Sequence, residues 1–183
     1  MSEEGEPHPK KMKPRDPAVT HKIMSSIKGK DTKPELLLRK ALWRRNHRYR
    51  TNVKTLPGKP DIVFTKYKVA VFCDGDFWHG HNWAIRGKGS LDEELTSYSE
   101  FWRAKIQRNV ERDREIDRDL ILMGWSVVRV WESDIKKDLD ACVKVVEDAL
   151  FDAMIEGEEN FVGDSEIIAL GGASNETKDR PLG

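Results

Sequence analysis

Two aspartates at the ends of neighbouring apolar runs are the residues of this chain whose spacing points most directly to chemistry. Asp61 precedes the apolar residues 62–64, and Asp74 follows the apolar residues 69–73. If these two runs pair as a hairpin, the carboxylates approach each other, and the main-chain carbonyl of Cys73 adds a further oxygen. Hard divalent cations prefer such oxygens, and a bound cation lowers the pKa of an attacking water. The pattern predicts metal-dependent cleavage of a phosphodiester.

An imidazole and two large rings follow these acids directly. His79 lies five residues after Asp74, and an imidazole that titrates near neutrality can activate water or protonate a leaving oxygen. Phe77 and Trp78 lie in a glycine-flanked turn, where exposed rings beside a basic surface can wedge between DNA bases. Spacing alone is equally compatible with two turn acids and a surface histidine, so this alternative stays open.

Charge is distributed very unevenly along the chain, although the formal net charge is zero. Residues 1–72 carry eighteen Lys and Arg against seven Asp and Glu, whereas residues 151–183 carry two against eight. A basic N-terminal half is typical of a protein with a polyanionic partner, since phosphate contacts give affinity that does not depend on base sequence. A solvated basic face balanced by an acidic one accounts for the same charges.

Composition predicts how the 183 residues are organised. We expect a mobile N-terminal segment over residues 1–17, a compact domain over residues 18–155 and an acidic, disordered tail over residues 156–183. The apolar content is 38% and no apolar run is long enough to span a membrane, which favours a globular cytoplasmic protein without membrane contact. The two cysteines, Cys73 and Cys142, have neither disulfide-framework nor zinc-ligand spacing.

The order of predicted elements indicates an α/β fold with a small sheet flanked by helices. A capping box at residues 32–35 begins a helix that we expect to end near Asn46. The remaining predicted elements are strands at 48–53, 61–64 and 69–73, a long loop at 81–98, a long helix from 101 to Gly124, a buried strand at 125–131 and a last helix at 139–154.

Five blocks of sequence occur in an order that is more specific than any one of them. They are residues 24–35, 56–61, 75–81, 101–113 and 124–132. Together they resemble the very-short-patch (Vsr) mismatch-repair endonucleases, over about residues 20–135 of this chain. The resemblance implies a restriction-endonuclease-like fold with a small mixed β-sheet flanked by α-helices. It also implies a magnesium-dependent enzyme, with Mn²⁺ as a substitute ion, that nicks duplex DNA on the 5′ side of the thymine of a T:G mismatch.

The resemblance assigns catalytic roles to four positions. Asp61 matches the metal-binding aspartate of the family, and Cys73 matches a residue that binds the metal through its main-chain carbonyl. His79 matches a catalytic histidine. Glu35 matches an acid that reaches the site through metal-bound water, although its place in the capping box accounts for it as well.

The resemblance also assigns the contacts to DNA. Phe77, Trp78 and Trp102 match aromatic residues that intercalate beside the mismatch, although Trp102 also fits the apolar stripe of its predicted helix. Lys105 and Asn109 lie in the same block as Trp102, and we include them as DNA-binding residues.

Two departures from the family pattern change these expectations. The family usually has a histidine where this chain has Asp74, so we predict that Asp74 binds a hard cation directly. The family also holds a structural zinc with Cys and His at positions that match Asp76, His81, Trp83 and Ser133. Only His81 is a good zinc ligand, so no structural zinc is expected.

Three functions follow as alternatives. The first is a mismatch-repair endonuclease acting on double-stranded DNA, and the second is a restriction- or defence-associated nuclease that uses the same site on another DNA. The third is a non-catalytic DNA-binding protein on the same fold. None of the three requires a nucleotide cofactor, and the sequence does not indicate protein partners.

Overall fold

The computed structural model describes residues 30–171, with side chains described as far as Glu156. The expectations for residues 1–17, for the beginning of the block at 24–35 and for the end of the tail lie outside the described residues. The chain divides into two units, Met1–Thr32 and Lys33–Gly183, and all the elements named below belong to the second unit.

The structure combines helices with a small sheet, as the sequence predicts for an α/β protein, which confirms the fold class. In chain order the elements are α1 (Lys33–Arg44), β1 (Ile62–Phe64), β2 (Val69–Asp74), α2 (Asn82–Ile85), α3 (Leu91–Leu95), α4 (Glu100–Leu122), β3 (Ser126–Trp131), α5 (Glu132–Lys137) and α6 (Leu139–Gly171).

The strands form one mixed sheet in the order β1-β2-β3. β1 and β2 are the predicted antiparallel hairpin, with Ile62 opposite Val71. β3 lies parallel to β2, and its register places Asp74 opposite Trp131. The hairpin therefore brings the start of β1 and the end of β2, where the two candidate acids lie, to the same end of the sheet.

The sheet has an apolar layer on each face, which explains why β2 is a continuous apolar run rather than an alternating one. Val69 and Val71 belong to the larger core, which includes residues of α1 and α6. Ala70 and Phe72 belong to a smaller core with Leu120 of α4. Asp74 continues the second series along β2, so its carboxylate lies on the α4 side of the sheet.

The strand expected at 48–53 and the long loop expected at 81–98 are both wrong. Residues 48–53 are not a strand, and the only pairing in this segment is an isolated bridge between Arg50 and Val63. Asn52 has φ 51°, which an extended strand does not tolerate. The predicted loop at 81–98 contains α2 and α3, and Ser90 caps α3 by accepting a hydrogen bond from the main-chain N–H of Glu93 at 3.2 Å. The sequence signal was present, since Ser90 and Glu93 have capping-box spacing.

The C-terminal part of the chain is more helical than expected. α5 was not predicted, and α6 continues as far as Gly171, past the expected end of the last helix at 154. Within the part of the chain that the structure describes, no helix is both long enough and apolar enough to cross a membrane.

Candidate active site

Asp61 is fixed at the sheet end by bonds on both its main chain and its side chain. Its N–H donates to the Val71 carbonyl at 3.0 Å. Its Oδ2 accepts from the N–H of Cys73 at 2.8 Å. Gly58, in the turn before it, has φ 68°, and a Cβ there would lie 2.6 Å from Ile116 of α4. The turn, the hairpin and α4 together hold this carboxylate beside Cys73.

α1 contributes a buried acid to the same place. Glu35 is 2% exposed and forms an ion pair with Arg39 one helical turn later. Arg39 also donates from Nη2 to the main-chain oxygen of Asp61 at 3.0 Å. The capping-box glutamate of the sequence is therefore also a site residue by position, since Arg39 links it directly to Asp61.

The pKa of Asp61 is raised to about 6. Burial is the largest cause, and the negative charges of Glu35 and Asp74 add to it, while the Cys73 N–H and Arg39 act in the opposite direction. Burial also raises the pKa of the Cys73 thiol, so this side chain stays protonated at neutral pH. The ligand that the family resemblance assigns to Cys73 is its main-chain oxygen, which does not depend on the protonation of the thiol.

Asp74 is buried and already engaged. It is 4% exposed, and its Oδ2 accepts from Arg129 Nη1 at 2.6 Å. Its Oδ1 lies 3.6 Å from Nδ1 of His79. The structure thus places Asp74 between an arginine and the candidate catalytic histidine, an arrangement that the sequence did not predict.

His79 forms a short pair with an acid from α4. Its Nδ1 lies 2.5 Å from Oδ2 of Asp113. Burial alone would lower the pKa of His79, but the Asp113 hydrogen bond and the charges of Asp74 and Asp113 outweigh it, so the pKa is raised. The same pair lowers the pKa of Asp113 although burial acts against it. With Nδ1 directed at a carboxylate, Nε2 is the nitrogen left for proton transfer.

The turn that carries His79 is closed by its own main chain. The N–H groups of Trp78 and His79 both donate to the Gly75 carbonyl, at 3.1 and 3.2 Å. Asn109 of α4 donates to the Trp78 carbonyl at 3.0 Å. Asn109 therefore stabilises this turn. The sequence predicted a contact between Asn109 and DNA and did not predict this hydrogen bond.

Sequence reasoning missed Asp113 and Arg129. Asp113 lies four residues after Asn109 on α4, which places both on one helix face toward the same turn. Arg129 interrupts the apolar run of β3, and a charge at such a position requires a partner. That interruption was the available signal, and the structure shows that the partners are Asp74 and Asp117.

The predicted intercalating rings form one cluster. Phe77 lies 5.0 Å from Trp78 and 5.4 Å from Trp102 between ring centroids, both with edge-to-face geometry. Tyr98 joins them at 5.7 Å from Phe77. Phe77, Trp78 and Trp102 are half-buried rather than fully exposed, because they pack on one another. The structure thus brings together the three rings that the sequence placed in two separate blocks.

Lys105 lies against the outer side of this cluster. Its Nζ is 5.1 Å from the ring centroid of Trp78 and 5.5 Å from that of Trp102. A cation over these rings combines a stacking surface with a positive charge, as single-stranded or distorted DNA requires. Trp102, Lys105, Asn109 and Asp113 recur along α4 at intervals of three or four residues, so one helix carries one ring of the cluster and the partner of His79.

The positions that matched zinc ligands make direct contacts instead. Asp76 accepts hydrogen bonds from the Ser133 hydroxyl at 2.7 Å and from its N–H at 3.1 Å. His81 stacks on Trp131 with ring centroids 4.1 Å apart and an interplanar angle of 5°. Asp76 thus joins the turn after β2 to α5, and His81 joins it to the end of β3.

Among the described residues, no group of three His, Cys, Asp or Glu side chains is arranged to hold a metal ion by itself. A cation here would need main-chain, water or phosphate oxygens in addition to the aspartates. Mg²⁺ is commonly bound in that way, through one or two carboxylates with several waters and substrate phosphates.

A three-stranded mixed sheet with flanking helices, and with acids and a histidine clustered at one end, defines a restriction-endonuclease-like α/β protein. Residues 13–85 match the model of the family described as DNA mismatch endonuclease Vsr. The chain is 46% identical over 136 residues to type II nicking enzyme V.NmeDIP of Neisseria meningitidis serogroup C, covering 74% of this chain and 88% of that protein.

Two further relatives agree with this match. Type II nicking enzyme V.HpaIIP of Haemophilus parainfluenzae is 39% identical over 133 residues, which are 73% of this chain and 91% of that enzyme. The DNA mismatch endonuclease Vsr of Escherichia coli (strain K12) is 36% identical over 121 residues, 66% of this chain and 74% of that enzyme. The chain belongs to the Vsr family and is a DNA endonuclease.

Proposed function

We propose that this endonuclease nicks one strand of duplex DNA at T:G mismatches in a reaction that requires Mg²⁺. The observation that carries the proposal is the short His79–Asp113 pair beside Asp74, at the sheet end where Asp61 is bonded to Cys73. The relatives named as nicking enzymes and as a mismatch endonuclease support the single-strand cut and the mismatch, respectively.

Asp61 and the main-chain oxygen of Cys73 fit a magnesium ion. The Cys73 N–H occupies one carboxylate oxygen of Asp61, and the other is the one that would contact the cation. Glu35 and Asp74 add negative charge to the same place, which favours a cation there. When bound, Mg²⁺ neutralises charge on the phosphate and lowers the pKa of the attacking water.

The carboxylate of Asp74 has protein partners as well as a position beside the proposed magnesium ion. Oδ2 accepts a hydrogen bond from Arg129, whereas Oδ1 faces His79 and is the oxygen we assign to a cation. Its negative charge also stabilises a positively charged His79. We therefore propose that Asp74 acts on the imidazole as well as on the metal.

His79 transfers a proton through Nε2. Asp113 holds Nδ1, and the two neighbouring carboxylates favour the protonated ring near neutral pH. In that form Nε2–H donates its proton to the leaving oxygen as the phosphorus–oxygen bond breaks. The water that attacks phosphorus supplies the new oxygen and releases a proton to solvent. The neutral ring that remains recovers its proton from solvent.

The ring cluster supplies mismatch recognition. Phe77, Trp78 and Trp102 are already packed against one another, so little side-chain freedom is lost when they enter a base step. A wedge of this kind unstacks the step at a cost of a few kcal/mol, which is lower at a mismatched pair. Lys105 then lies close to the neighbouring phosphates or bases.

Cleavage of a T:G duplex compared with its T:A counterpart tests the proposal. We expect Mg²⁺-dependent nicking of the thymine strand in the T:G duplex only, and no nicking by Asp61→Ala or in EDTA. Equal cleavage of both duplexes would instead favour a nuclease with another DNA specificity. Binding of T:G DNA without cleavage at any Mg²⁺ concentration would contradict the catalytic assignment.

A further inference from the structure

We infer that Arg129 is a positioning residue of this active site, holding α4 against β2 so that Asp113 meets His79. The inference rests on the proposed function for its kinetic consequence, but not for its structural one. It concerns a residue whose role neither the family resemblance nor the ring cluster accounts for.

Arg129 joins two elements of the site through one guanidinium. Nη1 donates to Asp74 at the end of β2 at 2.6 Å. Nε donates to Oδ1 and Oδ2 of Asp117, each at 3.0 Å, and Nη2 donates to Oδ1 of Asp117 at 2.8 Å. Nη2 also donates to the main-chain oxygen of Asp113 at 3.3 Å.

The hydrogen bond from Nη2 to the main-chain oxygen of Asp113 is the contact that links Arg129 to the partner of His79. Asp113 receives Arg129 on its main chain and His79 on its side chain, so the arginine fixes the backbone position from which the carboxylate reaches the imidazole. Asp117 lies one turn further along α4 and prevents the helix from turning about its axis. Loss of Arg129 releases both constraints at once.

The surroundings of Arg129 show that the guanidinium is held rather than mobile. Its side chain is 17% exposed, and its guanidinium carbon lies 4.5 Å from the Phe72 ring centroid, over the ring face. Burial would lower the pKa of Arg129, but Asp117 and Asp74 raise it, so the group remains charged. A planar fork with several donors can satisfy this geometry, whereas a lysine ammonium provides one point of charge.

Arg129→Lys and Arg129→Gln separate positioning from charge. We expect roughly 100-fold lower kcat for nicking in both variants with little change in KM for T:G DNA, as is typical of a misplaced catalytic group. Arg45→Gln is the matched control, because Arg45 also joins two acids, Asp140 and Glu147, on another helix. Full activity of Arg129→Lys would show that charge alone suffices and would overturn the inference.

A second measurement does not depend on cleavage. In metal-free, DNA-free protein, ¹⁵N imidazole spectra at a pH where His79 is neutral report which ring nitrogen carries the proton. We expect the Nδ1–H form in the wild type, because Asp113 accepts from Nδ1. We expect its loss in both Arg129 variants, but not in Arg45→Gln. Retention of the Nδ1–H form in a folded Arg129→Lys would contradict the inference even if the wild type never cleaved T:G DNA.

Arg129→Gln leaves Asp74 buried without its partner, which endangers folding. The double variant Asp74→Asn with Arg129→Gln removes one charge of each sign and leaves the net charge of the site unchanged. We expect it to fold and still to lose the Nδ1–H form, whereas Asp74→Asn alone keeps that form. If the double variant and Asp74→Asn give the same spectrum, Arg129 only neutralises Asp74.

Discussion

Replacing Asp61 by asparagine is expected to stabilise the metal-free protein while it abolishes cleavage. The pKa of Asp61 rises from an ordinary value of 3.8 to about 6 in the folded protein, and each pKa unit corresponds to about 1.4 kcal/mol. The full shift is therefore worth about 3 kcal/mol, as an upper bound, against the ionised carboxylate. Asparagine keeps an oxygen that can accept from the Cys73 N–H but carries no charge.

The sign of the pH dependence follows from the raised pKa. Between about pH 4 and pH 6 the unfolded aspartate loses its proton while the folded one keeps it, so the wild type loses stability as pH rises through this window. Asp61→Asn has no such loss. The difference between the two proteins should be near zero at pH 4 and should reach about 1–3 kcal/mol above pH 6.

Urea unfolding in EDTA at a series of pH values measures this difference. Asp119→Asn, an exposed change on α4, is the control for removal of a carboxylate and should behave like the wild type. Addition of Mg²⁺ should stabilise the wild type and not Asp61→Asn, since the proposed magnesium site depends on the charged carboxylate of Asp61. Equal stabilities at pH 8, or a difference that does not diminish toward pH 4, would refute the reasoning about this buried carboxylate.

Two other predictions concern mismatch recognition and the turn that follows β2. Trp102→Ala should lower the ratio of T:G to T:A cleavage by roughly 10-fold or more, because stacking is worth about 1–3 kcal/mol per base, whereas Trp43→Ala, an exposed ring on α1, should leave the ratio unchanged; competition between the two duplexes measures this ratio. Ser133→Ala removes the hydroxyl that donates to Asp76 and should lower the free energy of unfolding by about 1 kcal/mol. In Asp61→Asn, which is not expected to bind Mg²⁺, EDTA should leave the melting temperature unchanged; a large loss of stability in this variant would show that a metal holds the turn.

Much of the fold could be predicted because its signals are local. The capping box at the start of α1, the hairpin of β1 and β2, and the long helix ending before Gly124 each follow from residues close together in sequence. Gly124 has φ 74°, as a residue that ends a helix requires. The strand predicted at 48–53 is wrong because Asn52 adopts a turn conformation with positive φ, which the β propensity of its neighbours does not override.

The candidate site could be predicted only in part, because only some of its contacts join residues that are close in sequence. Asp61, Asp74 and His79 lie close together because the hairpin and its following turn bring them there. Their partners come from α4 and β3, 34 residues away for His79 and 55 residues away for Asp74. The parallel pairing of β3 with β2 decides these contacts, and nothing local in the sequence states that Arg129 faces Asp74 rather than solvent.

α4 fixes the spacing between two residues of the proposed site. Trp102 and Asp113 are eleven residues apart, about three turns and roughly 16 Å along a helix that neither stretches nor bends easily. In the proposed reaction one end of this rod senses the damaged step and the other supports proton transfer. The helix and the turn at residues 75–81 would then together set the spacing between the base step that the rings enter and the phosphate at which the proton is transferred.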